Sequence, residues 1–326
     1  MINLDDTRLI HSRRERTMAR AALAVYADQR QEIIDFMTGF SLETTPTSAR
    51  KVADFREHIR RGDDVYITYL PGSSFDDTID VAKRLRREGF NPVPHLAARS
   101  TPDLRVFAHT LQRLHDEAGV SQVLLIGGGV ARPVGEISDT MQLLETGLLD
   151  KYGIRKIGVA GHPEGSPDIP DEAISQALRW KNDFARRTGA EMYLVTQFCF
   201  EAEPIIKWDR MIQAEGNALP IQIGIPGLAT IRTLLGHAKA CGVGPSMRIL
   251  SRQAMNVARL LTVSEPDRLV AALAAYKATD PSCGIQGVHM YPLGGLKKTA
   301  DWSYAVADGR FRLNPNGQGF SVDVPT

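Results

Sequence analysis

The sequence has 326 residues, of which 43% are hydrophobic and 24% are charged, as in an ordinary globular protein. Lys and Arg (39) nearly balance Asp and Glu (38), so the net charge of +1 does not indicate the basic face that nucleic-acid binding uses. No apolar run reaches the roughly 18 residues of a membrane-spanning helix, and the N-terminus lacks the apolar core of a signal peptide. The cysteines are widely spaced, without a zinc pattern. We therefore expect a cytoplasmic protein with no nucleic-acid partner, membrane partner or bound metal.

One pattern recurs along the chain: a short apolar run, a turn and a longer amphipathic stretch. The runs that we interpret as strands are 39–44, 64–70, 91–96, 121–127, 155–161, 191–198, 221–226 and 284–291. Helical spacing is found between them, for example over Ser48–Arg61, Phe75–Glu88, Leu104–Ala118 and Ala173–Arg187. Eight strands alternating with helices predict an α/β fold, a (β/α)8 TIM barrel. The alternative is an open doubly wound sheet, which the absence of a G-x-G-x-x-G turn after the first strand disfavours.

The two ends of the chain fall outside the repeat. Residues 8–36 have the apolar spacing of a long amphipathic helix, which we expect to cover the bottom of the barrel or a helix face. The tail alternates in polarity around an Asn-Pro-Asn-Gly turn, the pattern of a hairpin. We therefore predict a single domain over 1–326, in which 1–37 is a helical extension, 38–306 the barrel and 307–326 the hairpin tail.

Polar residues at the strand ends are the candidate functional residues, because the active site of such a barrel lies at the C-terminal ends of its strands. The ends offer Glu43, Thr68 with Tyr69, His95, the glycines at 127–129, His162 with Glu164, Gln197, and His289 with Tyr291.

Each candidate has a structural alternative. Burial of Glu43 in a barrel mouth that excludes water would raise its pKa, as a proton donor requires. The equally supported structural interpretation is that Glu43 caps the N-terminus of a helix or pairs with an Arg. The amide of Gln197 suits a ligand with both donors and acceptors, such as a pterin or a flavin ring, or it is satisfied by backbone groups. A lone His such as His95 is more often structural than catalytic. The glycines at 127–129 permit close approach of a flat or phosphorylated ligand, or form a tight strand exit.

Taken in chain order, these strand ends resemble the methylenetetrahydrofolate reductase family. The resemblance extends from about Phe40 to Tyr304, and six segments carry it in the family order. They are FSLETTP (40–46), VYITY (65–69), PHL (94–96), IGVAGHPE (157–164), TQFCFE (196–201) and IPG (225–227).

The resemblance implies a (β/α)8 barrel that binds FAD at the strand ends and moves a hydride between NAD(P)H and 5,10-methylenetetrahydrofolate, giving 5-methyltetrahydrofolate for one-carbon metabolism and methionine biosynthesis. It implies that Glu43 is the general acid that protonates the folate. By the same resemblance the folate site contains Gln197, Phe198 and Leu234. The implied cofactor site contains Thr68, Tyr69, His95, Ile126, Gly127, Gly128, Gly129, Thr140, Ala160, His162, Ser166 and Lys181.

Several positions depart from the family pattern. The fourth strand of the family usually ends in Arg-Gly-Asp, but here Ile126 is followed by three glycines. Loss of that acid would make a flavin easier to reduce and favour oxidation of methyltetrahydrofolate. Ser166 replaces a histidine, Leu234 replaces an aromatic residue, and the basic residues around Lys181 are displaced.

These departures leave two alternatives to an FAD enzyme: a flavin-free reductase with direct hydride transfer from NAD(P)H, and a non-catalytic folate-binding accessory protein. The choice between NADH and NADPH, and the existence of a homo-oligomer, remain open at this stage.

Overall fold

The fold is a closed barrel of eight parallel strands, as predicted. The computed structural model describes residues 26–70, 72–241, 261–315 and 317–323, with the main chain alone at 238–241. The barrel strands are β1 (Ser41–Thr44), β2 (Asp64–Ile67), β3 (Asn91–Ala97), β4 (Gln122–Ile126), β5 (Lys156–Gly161), β6 (Glu191–Phe198), β7 (Ile221–Pro226) and β10 (Ile285–Tyr291). Neighbours in the sequence are neighbours in the barrel, and β10 closes it by pairing with β7 and β1. All eight runs interpreted as strands are therefore confirmed.

The helices between the strands form the outer layer. Amphipathic spacing lets each helix bury one face against the strands, and helix ends follow capping chemistry: Ser74 and Asp103 cap N-termini, and Gly89 and Gly119 end helices in the left-handed conformation. The described helices are α1 (26–37), α2 (Pro46–Ala49), α3 (Phe75–Glu88), α4 (Leu104–Ala118), α5 (Thr140–Leu144), α6 (Leu148–Lys151), α7 (Asp171–Thr188), α8 (Ala202–Ala214), α9 (Ile231–Cys241), α10 (Asp267–Thr279) and α11 (Leu296–Ala307).

The prediction of a helix over Ser48–Arg61 is wrong. The chain there forms only the four-residue α2 and a 3-10 turn at Phe55–Glu57. The guanidinium of Arg84 donates hydrogen bonds to the main-chain oxygens of Ala49, Val52 and Ala53, at 2.7–3.0 Å. These carbonyls are satisfied by a side chain from α3, so a continuous helix is not needed to pair them.

The first and last described segments pack on the barrel. Ile33, Phe36 and Met37 of α1 are buried in the main core, and Arg30 donates to the carbonyl of Phe311 at 3.2 Å. The predicted hairpin is present as the antiparallel pair β11 (Phe311–Leu313) and β12 (Phe320–Val322). The rest of the predicted N-terminal helix lies outside the described residues.

The sequence analysis missed a short two-stranded sheet formed by β8 (Ala229–Thr230) and β9 (Val263–Ser264). Two-residue strands do not produce a readable period, which explains the omission. None of the helices in the described ranges combines the length and hydropathy needed to cross a membrane.

Two tyrosines and three aliphatic residues form a buried cluster in the barrel interior. Tyr66, Val93, Leu124, Tyr193 and Val195 are buried there together, and the hydroxyl groups of Tyr66 and Tyr193 are 2.7 Å apart across the barrel. Room for the Tyr193 ring comes from β5: a Cβ atom at Gly158 would lie 2.8 Å from both Cζ and Oη of Tyr193. The absence of a side chain at residue 158 is therefore a packing requirement of the interior.

We expect Gly158→Ala to destabilise the protein by about 1–3 kcal/mol, because the added methyl group overpacks the interior against Tyr193. Gly236→Ala is the matched control: a Cβ there meets nothing within 4 Å, and alanine favours the helix that contains it. Urea denaturation of both variants measures the effect. Equal stability of the two variants would contradict this account of the interior.

Candidate active site

Closure of the barrel brings the first and last barrel strands together at its C-terminal rim. Ser41 of β1 pairs with His289 of β10 in the parallel register. Alternation along β1 then places the side chains of Ser41 and Glu43 on the same face as His289. The Oγ atom of Ser41 lies 2.8 Å from Nδ1 of His289, and Oε2 of Glu43 lies 3.5 Å from Nε2 of the same ring. The imidazole is fully buried between the serine and the carboxylate.

Electrostatics at Glu43 differ from the sequence expectation. Burial raises the pKa of its carboxyl group, but the contact with His289 and the charge of that histidine act in the opposite direction, with smaller help from His95 and Thr68. The pKa of Glu43 is nevertheless lowered overall, so the expectation of a raised pKa is wrong. Sequence reasoning considered burial of Glu43 without the partner that β10 supplies.

His95 and Thr68 complete this cluster. The pKa of His95 is lowered to about 4, chiefly by burial; the charge of Glu43 opposes this shift, and that of His289 makes a smaller contribution in the same direction as burial. His95 is therefore neutral near pH 7. Oε2 of Glu43, Oγ1 of Thr68 and Nε2 of both histidines are buried and make no hydrogen bond with the described residues. Buried polar atoms of this kind are the ones that a bound ligand can satisfy.

A chain of hydrogen-bonded side chains lies beneath the cluster. The ring of Tyr66 packs 4.4 Å from the ring of His289 and 6.0 Å from that of His95, measured between centroids. Its hydroxyl group pairs with that of Tyr193, which also accepts a hydrogen bond from Gln122 at 2.9 Å. Tyr66 therefore packs against both imidazoles, while its hydroxyl group is paired with that of Tyr193.

A second cluster lies beside the ends of β4 and β5. Lys181 of α7 is 7% exposed, and no hydrogen bond joins its amine to the described residues. Burial lowers its pKa to about 8, although Asp139 opposes the shift. Burial also lowers the pKa of His162 to about 4, with Lys181 adding to the effect. Thr140 is buried at the first position of α5, next to Asp139. An amine buried with so little compensation suits a bound anion.

Glycines form the rim between the two clusters. Gly128 has a φ of +93°, and a Cβ atom on it would lie 3.2 Å from that of Ala97, so a side chain there would be strained and crowded. Gly127 has open space where a side chain would be. Ile126 ends β4 and Ala160 is the next-to-last residue of β5, and both are partly exposed; Gly129 and Ser166 lie in the adjoining loops.

Tyr69 is held by contacts with its neighbours in the chain. It is buried, stacks on Phe75 at 4.8 Å between centroids, and donates its hydroxyl hydrogen to the carbonyl of Ser73 at 2.9 Å. These contacts occupy the ring face and the polar atom of Tyr69, so they favour a structural role.

The three predicted folate residues separate into two groups. Gln197 is exposed at the end of β6, and its amide makes no hydrogen bond with the described residues. Phe198 and Leu234 are buried together with Ala229 and Ile231 in a small cluster between β6 and α9. The amide of Gln197 is therefore available to a ligand, whereas Phe198 and Leu234 are packed in an apolar cluster.

Sequence reasoning named His289 among the strand ends without giving it a role, and it did not single out Ser41. The alternation of β1 could have paired Ser41 with Glu43, but their common partner is 246 or more positions away in the chain. In the described ranges, no group of three or more His, Cys, Asp and Glu side chains is arranged to hold a metal ion.

Comparison with known proteins identifies the family of the chain and a solved structure with a similar fold. The sequence profile of the methylenetetrahydrofolate reductase family matches residues 30–293. Methylenetetrahydrofolate reductase 2 of Saccharomyces cerevisiae is 30% identical over 93 residues, which are 28% of this chain and 15% of that protein. Methylenetetrahydrofolate reductase 1 of Schizosaccharomyces pombe is 31% identical over 143 residues, which are 41% of this chain and 22% of that protein. The matched segments thus span less than a quarter of each yeast protein.

A solved structure shares the fold. It is an uncharacterized protein from Clostridium thermocellum that binds two copies of 5-methyl-5,6,7,8-tetrahydrofolic acid. The two structures superpose with a TM-score of 0.53 at 14% sequence identity, over 85% of this chain and 96% of that one. Because the family profile covers most of the chain and includes the whole barrel rim from Glu43 to Tyr291, this chain belongs to the methylenetetrahydrofolate reductase family.

Proposed function

We propose that the protein interconverts 5,10-methylenetetrahydrofolate and 5-methyltetrahydrofolate, with NAD(P)H as the hydride donor or acceptor, in one-carbon metabolism. The observation that carries the proposal is the buried pair of Glu43 and His289 at the barrel rim, 3.5 Å apart. A folate-binding accessory protein has no need of a buried proton donor. The folate bound by the Clostridium thermocellum protein on a similar barrel supports the same substrate class.

The pair explains how Glu43 can act as an acid although its pKa is lowered. Oε2 of Glu43 and Nε2 of His289 are 3.5 Å apart, so a proton can be passed from one group to the other. When Glu43 gives a proton to a folate nitrogen, His289 is the group placed to return one. Ser41 at Nδ1 fixes the orientation of the imidazole during this exchange.

Lys181 supports FAD as the cofactor. Its buried amine, close to His162 and to the N-terminus of α5, would pair with the diphosphate of FAD. Oγ1 of Thr68 and Nε2 of His95 are the unpaired polar atoms that would meet the flavin ring. When bound, FAD supplies the hydride chemistry; the chain positions it and excludes water.

The flavin-free alternative uses the same groups differently. NAD(P)H also carries a diphosphate, so Lys181 alone does not distinguish the two cofactors. The glycines at 127–129 and the missing acid after β4 are the observations that favour this second candidate. The visible absorbance of the protein as purified decides between them, because bound flavin is coloured and a nicotinamide is not.

We expect Glu43→Gln to lower folate turnover by about 10²–10⁴-fold, because the amide keeps the shape and loses the transferable proton. Oxidation of NAD(P)H with an artificial electron acceptor should be retained, since that half-reaction needs no proton on folate. Glu191→Gln, at the opposite end of the barrel, is the matched control. Near wild-type folate turnover by Glu43→Gln would refute the role of Glu43.

We expect His289→Gln to raise the pKa of Glu43, because burial persists while the contact and charge that lower the pKa are removed. Infrared titration of the Glu43 carboxyl band, assigned by difference from Glu43→Gln, measures this pKa. His162→Gln is the control, since His162 is not among the groups that shift Glu43. A pKa that stays the same or falls in His289→Gln would show that the pair does not govern Glu43.

We expect Lys181→Met to weaken FAD binding by roughly tenfold or more, because a charge-assisted hydrogen bond to an anion is worth about 1.5–3 kcal/mol. Titration of FAD into cofactor-free protein, followed by flavin fluorescence, measures the affinity. Lys207→Met removes an exposed lysine from α8 and should leave FAD binding unchanged. Equal affinities of the two variants would argue against Lys181 as the anion site.

A further inference from the structure

The end of β6 contains a one-residue bulge directly before the barrel rim. Val195 pairs with Gln222 and Phe198 pairs with Gly224, so β6 uses one more residue than β7 between these two pairs. Thr196 and Gln197 are the residues within the irregularity. A bulge of this kind changes the direction of a side chain at the end of a strand. Here it determines where the exposed amide of Gln197 lies.

The side chain of Thr196 closes the bulge from within. It is fully buried, and its hydroxyl group donates to the carbonyl of Gln197 at 2.8 Å while it accepts from the main-chain N–H of Gly224 at 2.8 Å. The ladder between β6 and β7 is interrupted at this point. The hydroxyl therefore takes the place of a main-chain partner on both strands.

The neighbouring strands complete the arrangement. The hydroxyl group of Tyr291, at the end of β10, donates to the carbonyl of Thr196 at 2.8 Å. The two bulged carbonyls lie against Gly224, where a Cβ atom would be 2.5 Å from the oxygen of Thr196 and 2.6 Å from that of Gln197. Side chains from two strands and a glycine from a third thus hold the main chain on both sides of the Gln197 α-carbon.

We infer that Thr196 and Tyr291 are positioning residues for folate recognition, which act by fixing the bulge that presents the amide of Gln197 to the substrate. The inference rests on the proposed function, because it takes a folate as the ligand of Gln197. An amide distinguishes donors from acceptors only when its orientation is fixed, and a loosened main chain lets it turn away from the pterin edge. Neither Thr196 nor Tyr291 needs to touch the substrate for this effect.

A double-mutant cycle on 5-methyltetrahydrofolate affinity tests the inference. The variants are Thr196→Val, which keeps the shape and removes the hydroxyl group, Gln197→Ala, and the two combined. We expect Thr196→Val to weaken binding by about tenfold in the wild-type background and by less than about twofold in the Gln197→Ala background, because residues that act through one another are not additive. Thr196→Ser keeps the hydroxyl group and should restore affinity.

Two further variants separate positioning from general stability. Tyr291→Phe should show a smaller loss of affinity with the same dependence on Gln197, and it tests the inference if Thr196→Val does not fold. Thr188→Val removes a hydroxyl group that donates to the carbonyl of Phe184 at the end of α7, and should leave folate affinity unchanged.

The possible failures are distinguishable. Suppose that Thr196→Val or Tyr291→Phe weakens folate binding equally in the wild-type and Gln197→Ala backgrounds. The positioning role is then wrong, while folate binding by the wild-type protein still supports the proposed function. Absence of folate binding by the wild-type protein would overturn the proposed function together with this inference.

Discussion

Pairing between β1 and β10 is the constraint on which the candidate site depends. Without closure of the barrel, Ser41 and Glu43 would lie at one sheet edge and His289 at the other, far apart in space. The parallel register sets Ser41 opposite His289, and the two-residue period of the strand then places Glu43 within 3.5 Å of the imidazole. The electrostatic state of Glu43 is therefore a consequence of topology, since its partner comes from the last barrel strand.

The polar interior of the barrel supports this pair. Side chains that fill a barrel must satisfy their polar atoms across it, and Tyr66, Tyr193 and Gln122 do so through their hydrogen-bonded chain. Small residues make the space: Gly158 admits Tyr193, and Gly287 admits Gln222, whose Oε1 lies 2.4 Å from the position of a Cβ at residue 287. A rigid interior below the rim leaves the imidazoles of His95 and His289 little freedom to move.

The rim itself combines two kinds of buried polar atom. Those of Thr196 and Tyr291 are satisfied by the main chain and fix the end of β6. Those of Thr68 and His95 have no hydrogen-bond partner among the described residues. The hydrogen bonds of Thr196 and Tyr291 hold the main chain at the end of β6, whereas the unpaired atoms of Thr68 and His95 are available to a ligand.

Local information in the sequence determined much of the fold. Continuous apolar runs predicted all eight barrel strands, and amphipathic spacing predicted the helices Phe75–Glu88 and Leu104–Ala118 with their observed bounds. The helix predicted over Ser48–Arg61 failed because Arg84, from another element, takes the carbonyls that a helix would use. The strand-end rule likewise identified Glu43, His95 and Gln197 as rim residues, since position along a strand is a local property.

Only the tertiary structure decided what these residues face. The pKa of Glu43 is lowered because closure supplies His289, and the main chain on both sides of Gln197 is held by contacts with β7 and β10 at a bulge in β6. Phe198 and Leu234, 36 positions apart in the sequence, pack in one small apolar cluster with Ala229 and Ile231. Contacts between residues more than 200 positions apart depend on which strands become neighbours and in which register. That information is distributed over the whole packed barrel, so no single segment of the sequence contains it.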